Sequence, residues 1–116
     1  TYTEFAEGFG LTRNVMRFFW QQYLASDADA SNALAVPTLA KSLAGLPKSL
    51  VVTAEYDVLR DEGERYAKRL SESGCDVTLI RYDGMLHGFI HFSGVFDDGV
   101  NASAKIGRFI KRHFGN

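Results

Sequence analysis

Ser49-Leu50-Val51-Val52-Thr53-Ala54 decides the fold, because it is an almost continuous apolar run. Such a run is typical of a strand covered on both faces, as in a parallel sheet. A helical pattern follows, and a second strand with alternating side chains is predicted at about residues 76–82, near the sheet edge. Strand, helix and strand in this order predict a right-handed parallel crossover. The fold class is therefore α/β, and this chain has too few strands to complete a sheet.

The helix between the two strands has the clearest end signals in the sequence. Asp61 is predicted as the N-cap, and Glu64 completes a capping-box-like pair three residues later. Glu64 and Lys68 have the order expected of an i,i+4 ion pair. Gly74 supplies the left-handed residue that ends the helix. The stripe predicted to face the sheet consists of Gly63, Tyr66, Ala67 and Leu70.

Two further helices flank this unit. Thr12 is the predicted N-cap of a helix over Arg13 to Leu24, which is apolar over more than half of its circumference and must contact other structure on several sides. Residues 26–47 contain both prolines and are predicted as a loop with short helical turns. After a loop over residues 83–97, a last helix places four apolar residues on one face and three basic ones in its final turn. These are Ala102, Ile106, Phe109 and Ile110, followed by Lys111, Arg112 and His113.

The composition narrows the class of protein. The 116 residues include 13 basic and 14 acidic side chains, a balance that argues against a nucleic-acid binder. No apolar run reaches about 18 residues, so no membrane span is predicted. The single cysteine, Cys75, excludes an internal disulfide and favours a cytoplasmic location. The start, Thr1 to Glu4, lacks both an initiator Met and a signal-peptide layout, so we expect a chain cut from something longer.

Two ionisable residues fall where ligands bind in open parallel sheets, beyond the carboxyl ends of the strands. Asp57 follows the first strand and His87 follows the second. Because neighbouring parallel strands end at the same edge, these residues are expected to meet there. A carboxylate that accepts the Nδ1 proton of an imidazole fixes its tautomer and leaves Nε2 free as a base. The alternative is that both are ordinary, unrelated loop residues.

Two other chemistries have weaker support. His87 and His91 are four residues apart, a spacing that would present both to one metal on a helix. However, Gly88 and the apolar Phe89-Ile90 favour a loop, and no Glu or Cys ligand pattern accompanies them. Cys75 follows the C-terminal end of a helix, where a thiolate is not stabilised, so it is predicted to be structural.

A dense set of motif residues runs from residue 45 to residue 89. It comprises Gly45-Leu46-Pro47, Ala54-Glu55-Tyr56, Asp57-Val58-Leu59-Arg60-Asp61-Glu62-Gly63-Glu64, Tyr66-Ala67, Leu70, Gly74, Val77, Tyr82, Gly84 and His87-Gly88-Phe89. This set resembles the C-terminal signature of hormone-sensitive-lipase-like esterases, which have the α/β-hydrolase fold. The resemblance implies that Asp57 is the acid and His87 the general base of a Ser-His-Asp triad, and that Asp61 is a second, structural acid. Val58 departs from the proline common in the family, which should affect only the stiffness of the turn.

The resemblance also divides the chain. Residues 1–45 are expected to be a cap-related helical segment and connection, and residues 46–116 the C-terminal part of the catalytic domain, a mostly parallel sheet with flanking helices. Met16 and Phe19 resemble residues of the cap that line the substrate pocket, although simple core packing explains them equally well. No cofactor and no metal are implied.

The nucleophile is the main departure from the family. The sequence contains neither a Gly-x-Ser-x-Gly elbow nor a His-Gly-Gly-type oxyanion loop, and the family has both upstream of this region. The expected function is therefore hydrolysis of carboxylic esters of short to medium acyl chain by the parent protein, with this chain inactive alone. The alternative is a non-catalytic association module that pairs through exposed sheet edges. Expected partners are a second copy or the missing N-terminal part.

Overall fold

Two parallel strands with helices packed around them form the fold of residues 1–115, the part of the chain that the computed structural model describes. The elements in chain order are α1 (Arg13–Tyr23), β1 (Ser49–Tyr56), α2 (Arg60–Glu72), β2 (Val77–Leu86) and α3 (Asp97–Phe114). Short 3₁₀ helices lie at Asp27–Ser31, Pro37–Leu39 and Phe89–Phe92. The predicted α/β class and parallel sheet are confirmed. Among the described helices, none combines the length and hydropathy needed to cross a membrane.

The two strands pair in register from Ser49 opposite Val77 to Ala54 opposite Tyr82, and they pair again where Tyr56 lies opposite Leu86. Both strands therefore run further than predicted, by two residues in β1 and by four in β2. The sequence prediction ended β2 at Tyr82 because Asp and Gly, which follow it, are turn residues. In the structure β2 continues past this interruption as an irregularity in the ladder, after which Leu86 pairs with Tyr56.

Helix α2 packs on β1, and its buried residues are Ala67 and Leu70. Gly63 allows the close approach, because a Cβ there would lie 3.3 Å from the Thr53 methyl carbon. The predicted C-terminal end is confirmed: the helix ends at Glu72, and Gly74 has a φ of +83°.

The predicted N-terminal end and side-chain pairing of α2 are wrong. The helix begins at Arg60, so Asp61 lies in its first turn rather than at the N-cap. Glu64 makes no capping box and no pair with Lys68. Instead it accepts two hydrogen bonds from Arg81 on β2, at 2.7 and 2.6 Å, because the edge strand brings a guanidinium within reach. Lys68 pairs with Glu72 at 3.7 Å.

Helix α1 begins as predicted, with the Thr12 hydroxyl accepting a hydrogen bond from the backbone N–H of Val15 at 3.2 Å. It ends at Tyr23, one residue before the predicted end. None of its residues is buried by the part of the chain that the structure describes, so the cover expected for its apolar sides is not provided there. Its exposed apolar side chains are Val15, Phe18, Phe19, Trp20 and Tyr23.

The core lies between the sheet and the N-terminal half of α3. It consists of Ala54, Tyr82, Phe89 and Ala102, with Val52, Ile80, Met85 and Ile90 packed around them. The buried residues of α3 are Gly99 and Ala102, both in its first two turns. Ile110 was predicted on the same inward face but is 52% exposed within the described part of the chain. The three basic residues of the last turn are present as predicted.

Candidate active site

Asp57 and His87 each follow directly after a strand, at the same end of the sheet. Their predecessors, Tyr56 and Leu86, are register partners in the last pair of the parallel ladder. The His87 Nδ1 atom lies 2.8 Å from Asp57 Oδ2. The structure therefore brings together the two residues that strand topology placed at one edge, and it does so more directly than predicted, because both strands extend to the residue before the pair.

The Asp57 carboxylate is buried and held at both oxygens. Oδ1 accepts a hydrogen bond from the backbone N–H of Leu59 at 2.9 Å, and Oδ2 faces the imidazole. The Asp57 carbonyl accepts a further hydrogen bond from the N–H of Arg60 at 3.1 Å, which begins α2. Val58 between them is fully buried. The turn is thus fixed by the aspartate itself and by the packing of Val58, without the proline common in the family.

The His87 side chain is 42% exposed, in contrast to its partner. With Nδ1 donating to the carboxylate, the neutral ring carries no proton on Nε2, which has no hydrogen-bond partner within the described part of the chain. Gly88 follows in the left-handed region at φ +74° and turns the backbone into the 3₁₀ helix Phe89–Phe92. Phe89 then enters the core, 4.9 Å from the Tyr82 ring, and anchors the loop that carries the histidine. The arrangement presents a basic nitrogen to an open surface.

Asp61 lies near Asp57 and His87 but takes no part in their hydrogen bond. Its carboxylate accepts a hydrogen bond from Arg60 Nε at 3.3 Å. The backbone N–H of Asp61 also donates to the Thr1 hydroxyl at 3.3 Å. The second contact joins the first residue of the chain to the first turn of α2. Both contacts agree with a structural acid, a role that stays a prediction.

The two predicted pocket residues lie on α1. Phe19 is 53% exposed and its ring lies 6.0 Å from that of Phe18, while Met16 is half-buried. Their role in a substrate pocket stays a prediction.

His91 is exposed on the 3₁₀ helix after His87, and residues 1–115 contain no cluster of three side chains that could hold a metal ion. The Cys75 thiol donates to the carbonyl of Leu43 at 3.1 Å, a structural contact.

One residue near the site was not singled out from the sequence. The Glu55 carboxylate accepts a hydrogen bond from the backbone N–H of Gly84 at 2.6 Å, joining β1 to β2 just before the Asp57–His87 contact. The available signal was an ionisable residue at the end of a buried strand, a position where charges are rarely tolerated without a partner.

Comparison with known proteins identifies the family of this chain. The sequence pattern of the α/β-hydrolase fold family matches residues 1–91. An arylesterase of Saccharolobus solfataricus is 46% identical over 70 residues, which are 60% of this chain and 23% of that protein. The carboxylic ester hydrolase LipN of Mycobacterium tuberculosis is 43% identical over 88 residues, which are 75% of this chain and 23% of LipN. The chain thus spans less than a quarter of the length of these two relatives.

Solved structures give the same result. The hyperthermophilic esterase from the archaeon Pyrobaculum calidifontis superposes with a TM-score of 0.90 at 39% identity, over 96% of this chain and 37% of that protein. The thermostable carboxylesterase EstE1, cloned from a metagenomic library, gives a TM-score of 0.82 at 46% identity, over 87% of this chain and 35% of EstE1. The likeness to hormone-sensitive-lipase-like esterases is confirmed, and the chain belongs to the α/β-hydrolase fold family.

Proposed function

We propose that this chain supplies the acid and the general base of a Ser-His-Asp triad that hydrolyses carboxylic esters in a longer parent protein. The observation that carries the proposal is the 2.8 Å contact between His87 Nδ1 and Asp57 Oδ2 at the carboxyl end of the sheet. Relatives that are named as carboxylic ester hydrolases or esterases support the reaction class.

The geometry fits one sequence of proton transfers. The Nε2 atom of His87 takes the proton of a serine hydroxyl while the serine oxygen attacks the ester carbonyl. The resulting imidazolium, stabilised by the Asp57 carboxylate, gives its proton to the departing alcohol and leaves an acyl-serine. His87 then takes a proton from water, whose oxygen attacks the acyl group. It returns that proton to the serine oxygen as the carboxylic acid leaves.

The serine has to come from outside this chain. No Gly-x-Ser-x-Gly elbow and no His-Gly-Gly-type loop occur in the 116 residues. Since triad members act as a unit, the isolated chain is expected to lack esterase activity. Esters of short to medium acyl chain are the proposed substrates. Met16 and the exposed Phe19 on α1 are the proposed contribution of this chain to the substrate pocket.

A complementation experiment tests the proposal. The coding region upstream of Thr1 is expressed as a separate polypeptide containing the serine elbow, mixed with this chain, and assayed with p-nitrophenyl acetate and butyrate. We expect hydrolysis from the mixture and from neither piece alone. A mixture made with the His87→Ala chain, shown by sedimentation to associate to the same extent, is the matched control. Equal hydrolysis by that control would contradict the assignment of His87.

The exposed surfaces of this chain favour a second candidate function, that of an association module. The outer edges of the two-stranded sheet are unpaired within the described residues, and large apolar side chains of α1 face solvent. Such surfaces are typical of contact with another chain. If the two pieces bind each other in sedimentation but the complex hydrolyses no ester, the association module becomes the better explanation.

A further inference from the structure

An irregularity in the ladder precedes the histidine. Between the pairs Ala54–Tyr82 and Tyr56–Leu86, β1 contributes the single residue Glu55, whereas β2 contributes the three residues 83–85. Strand β2 therefore contains two extra residues, which form a bulge immediately before the last ladder pair. Bulges of this kind bend a strand and redirect the side chains that follow it. The side chain that follows here is His87.

The bulge is held by a side chain rather than by the ladder. Gly84, at its centre, has a φ of +75° and donates its N–H to the carboxylate of Glu55 at 2.6 Å. Glu55 is fixed in turn, because its own carbonyl accepts a hydrogen bond from the Arg60 guanidinium at 2.9 Å. That guanidinium lies 5.4 Å from the centre of the Phe5 ring.

We infer that Glu55 is a positioning residue, whose carboxylate fixes the bulge of β2 so that His87 emerges within hydrogen-bonding distance of Asp57. Two facts connect the residues: Gly84 lies three positions before His87, and Glu55 lies two positions before Asp57. The Glu55–Gly84 bond therefore sets the spacing of the two strand ends on which the 2.8 Å contact depends. A shift of about 1 Å at such a site can cost about 100-fold in rate. The relevance to catalysis rests on the proposed function, whereas the effect on His87 geometry does not.

Three substitutions separate the hydrogen bond from the charge. Glu55→Gln keeps an acceptor of the same reach but removes the charge. Glu55→Asp keeps the charge but is about 1.5 Å shorter, so it no longer reaches Gly84. Glu55→Ala removes both. Asp83→Asn is the matched control, since Asp83 is an exposed carboxylate in the same bulge.

The full-length protein that carries this chain is measured in two ways. The first is the NMR signal of the His87 Nδ1 proton, which resonates far downfield while it is held by the carboxylate. The second is kcat for p-nitrophenyl butyrate. We expect Glu55→Asp and Glu55→Ala to lose the downfield signal and about tenfold in kcat, with KM nearly unchanged. Glu55→Gln and Asp83→Asn should keep the signal and stay within about twofold of the wild type.

Each outcome bears on the inference. An unchanged His87 signal in Glu55→Asp and Glu55→Ala overturns it, as does a Gln variant that behaves like the Ala variant, because charge rather than the hydrogen bond would then matter. If the full-length protein hydrolyses no ester but the NMR signals follow the expected order, the positioning role stands and the proposed function fails.

Discussion

Asp57 performs two tasks with one carboxylate. Oδ1 accepts the Leu59 N–H and helps to begin α2, while Oδ2 accepts the imidazole proton of His87. A buried carboxylate is costly unless its oxygens are hydrogen-bonded, and here the backbone and the histidine together meet that requirement. The carboxylate that contacts the imidazole is therefore also fixed by local structure. Substitutions at this position can separate the two tasks.

Asp57→Asn in the full-length protein is expected to lower kcat for p-nitrophenyl esters by about 10³–10⁴-fold with little loss of stability. The amide oxygen can still accept the Leu59 N–H. The amide nitrogen then faces the histidine as a donor, which places the imidazole proton on Nε2 and removes the free base. Asp57→Ala should lose as much activity and also about 1 kcal/mol of unfolding free energy, since the Leu59 N–H loses its acceptor. Steady-state kinetics and urea denaturation measure the two effects.

Asp61→Asn is the control for this prediction. Asp61 is half-exposed, lies in the first turn of α2 and makes no contact with the imidazole, so its replacement should cost about 0.5–1 kcal/mol of stability through the helix dipole and leave turnover nearly unchanged. A greater loss of turnover in Asp61→Asn than in Asp57→Asn would reverse the assignment of the acid.

At the scale of elements, α2 and β2 are joined by a polar contact that the sequence did not reveal. Glu64 accepts two hydrogen bonds from Arg81 and one from the Thr53 hydroxyl at 3.2 Å, so one carboxylate links the helix to both strands. The hydrogen bonds from Arg81, with the charge of its guanidinium, hold the pKa of Glu64 below its ordinary value. Because the folded-state pKa is the lower one, this contact stabilises the fold above the ordinary pKa of Glu and loses its contribution as the pH falls through the folded-state pKa.

Glu64→Gln is expected to remove this pH dependence. In the full-length protein, the variant should be less stable than the wild type near neutral pH. The difference should shrink as the pH falls below 4.5, the ordinary value, because the wild-type carboxylate then becomes neutral as well. The measurement is the free energy of unfolding by urea at several pH values between about 7 and 3. A difference between the two proteins that stays constant over this range would contradict the role given to the ion pair.

The same elements show what the sequence could and could not predict. The apolar run of β1, the Thr12 cap of α1 and the Gly74 end of α2 were predictable because each depends on neighbours in sequence. The order of strand, helix and strand was enough to place Asp57 and His87 at one edge. The extension of β2 through Gly84 and the pairing of Glu64 with Arg81 were not predictable, because both depend on partners from the other strand or helix. The charge of Glu55 at the end of a buried strand was visible in the sequence, but its partner, the Gly84 N–H on β2, was not predictable for the same reason.

At the scale of the whole molecule, some apolar side chains are buried in a core and others are exposed to solvent. The core between the sheet and the start of α3 is buried, whereas α1 and the end of α3 expose aromatic and aliphatic side chains. A helix that is apolar on most sides is stable in water only when other structure covers it. This chain covers 35% of EstE1 and 37% of the Pyrobaculum calidifontis esterase, so the greater part of each relative lies outside the matched region.

Trp20 provides a direct measure of this coverage. It is the single tryptophan of the chain, lies on α1 and is 39% exposed. When this chain binds a separately made N-terminal portion whose own tryptophans are replaced by Phe, we expect the emission of Trp20 to shift to shorter wavelength and acrylamide quenching to fall, because the indole leaves water. The Trp20→Phe chain is the control, since its complex should show no tryptophan signal. An unshifted emission in a complex that sedimentation demonstrates would mean that α1 stays exposed in the parent protein. In that case its aromatic face would be available to a second copy or to substrate instead of serving as part of the core.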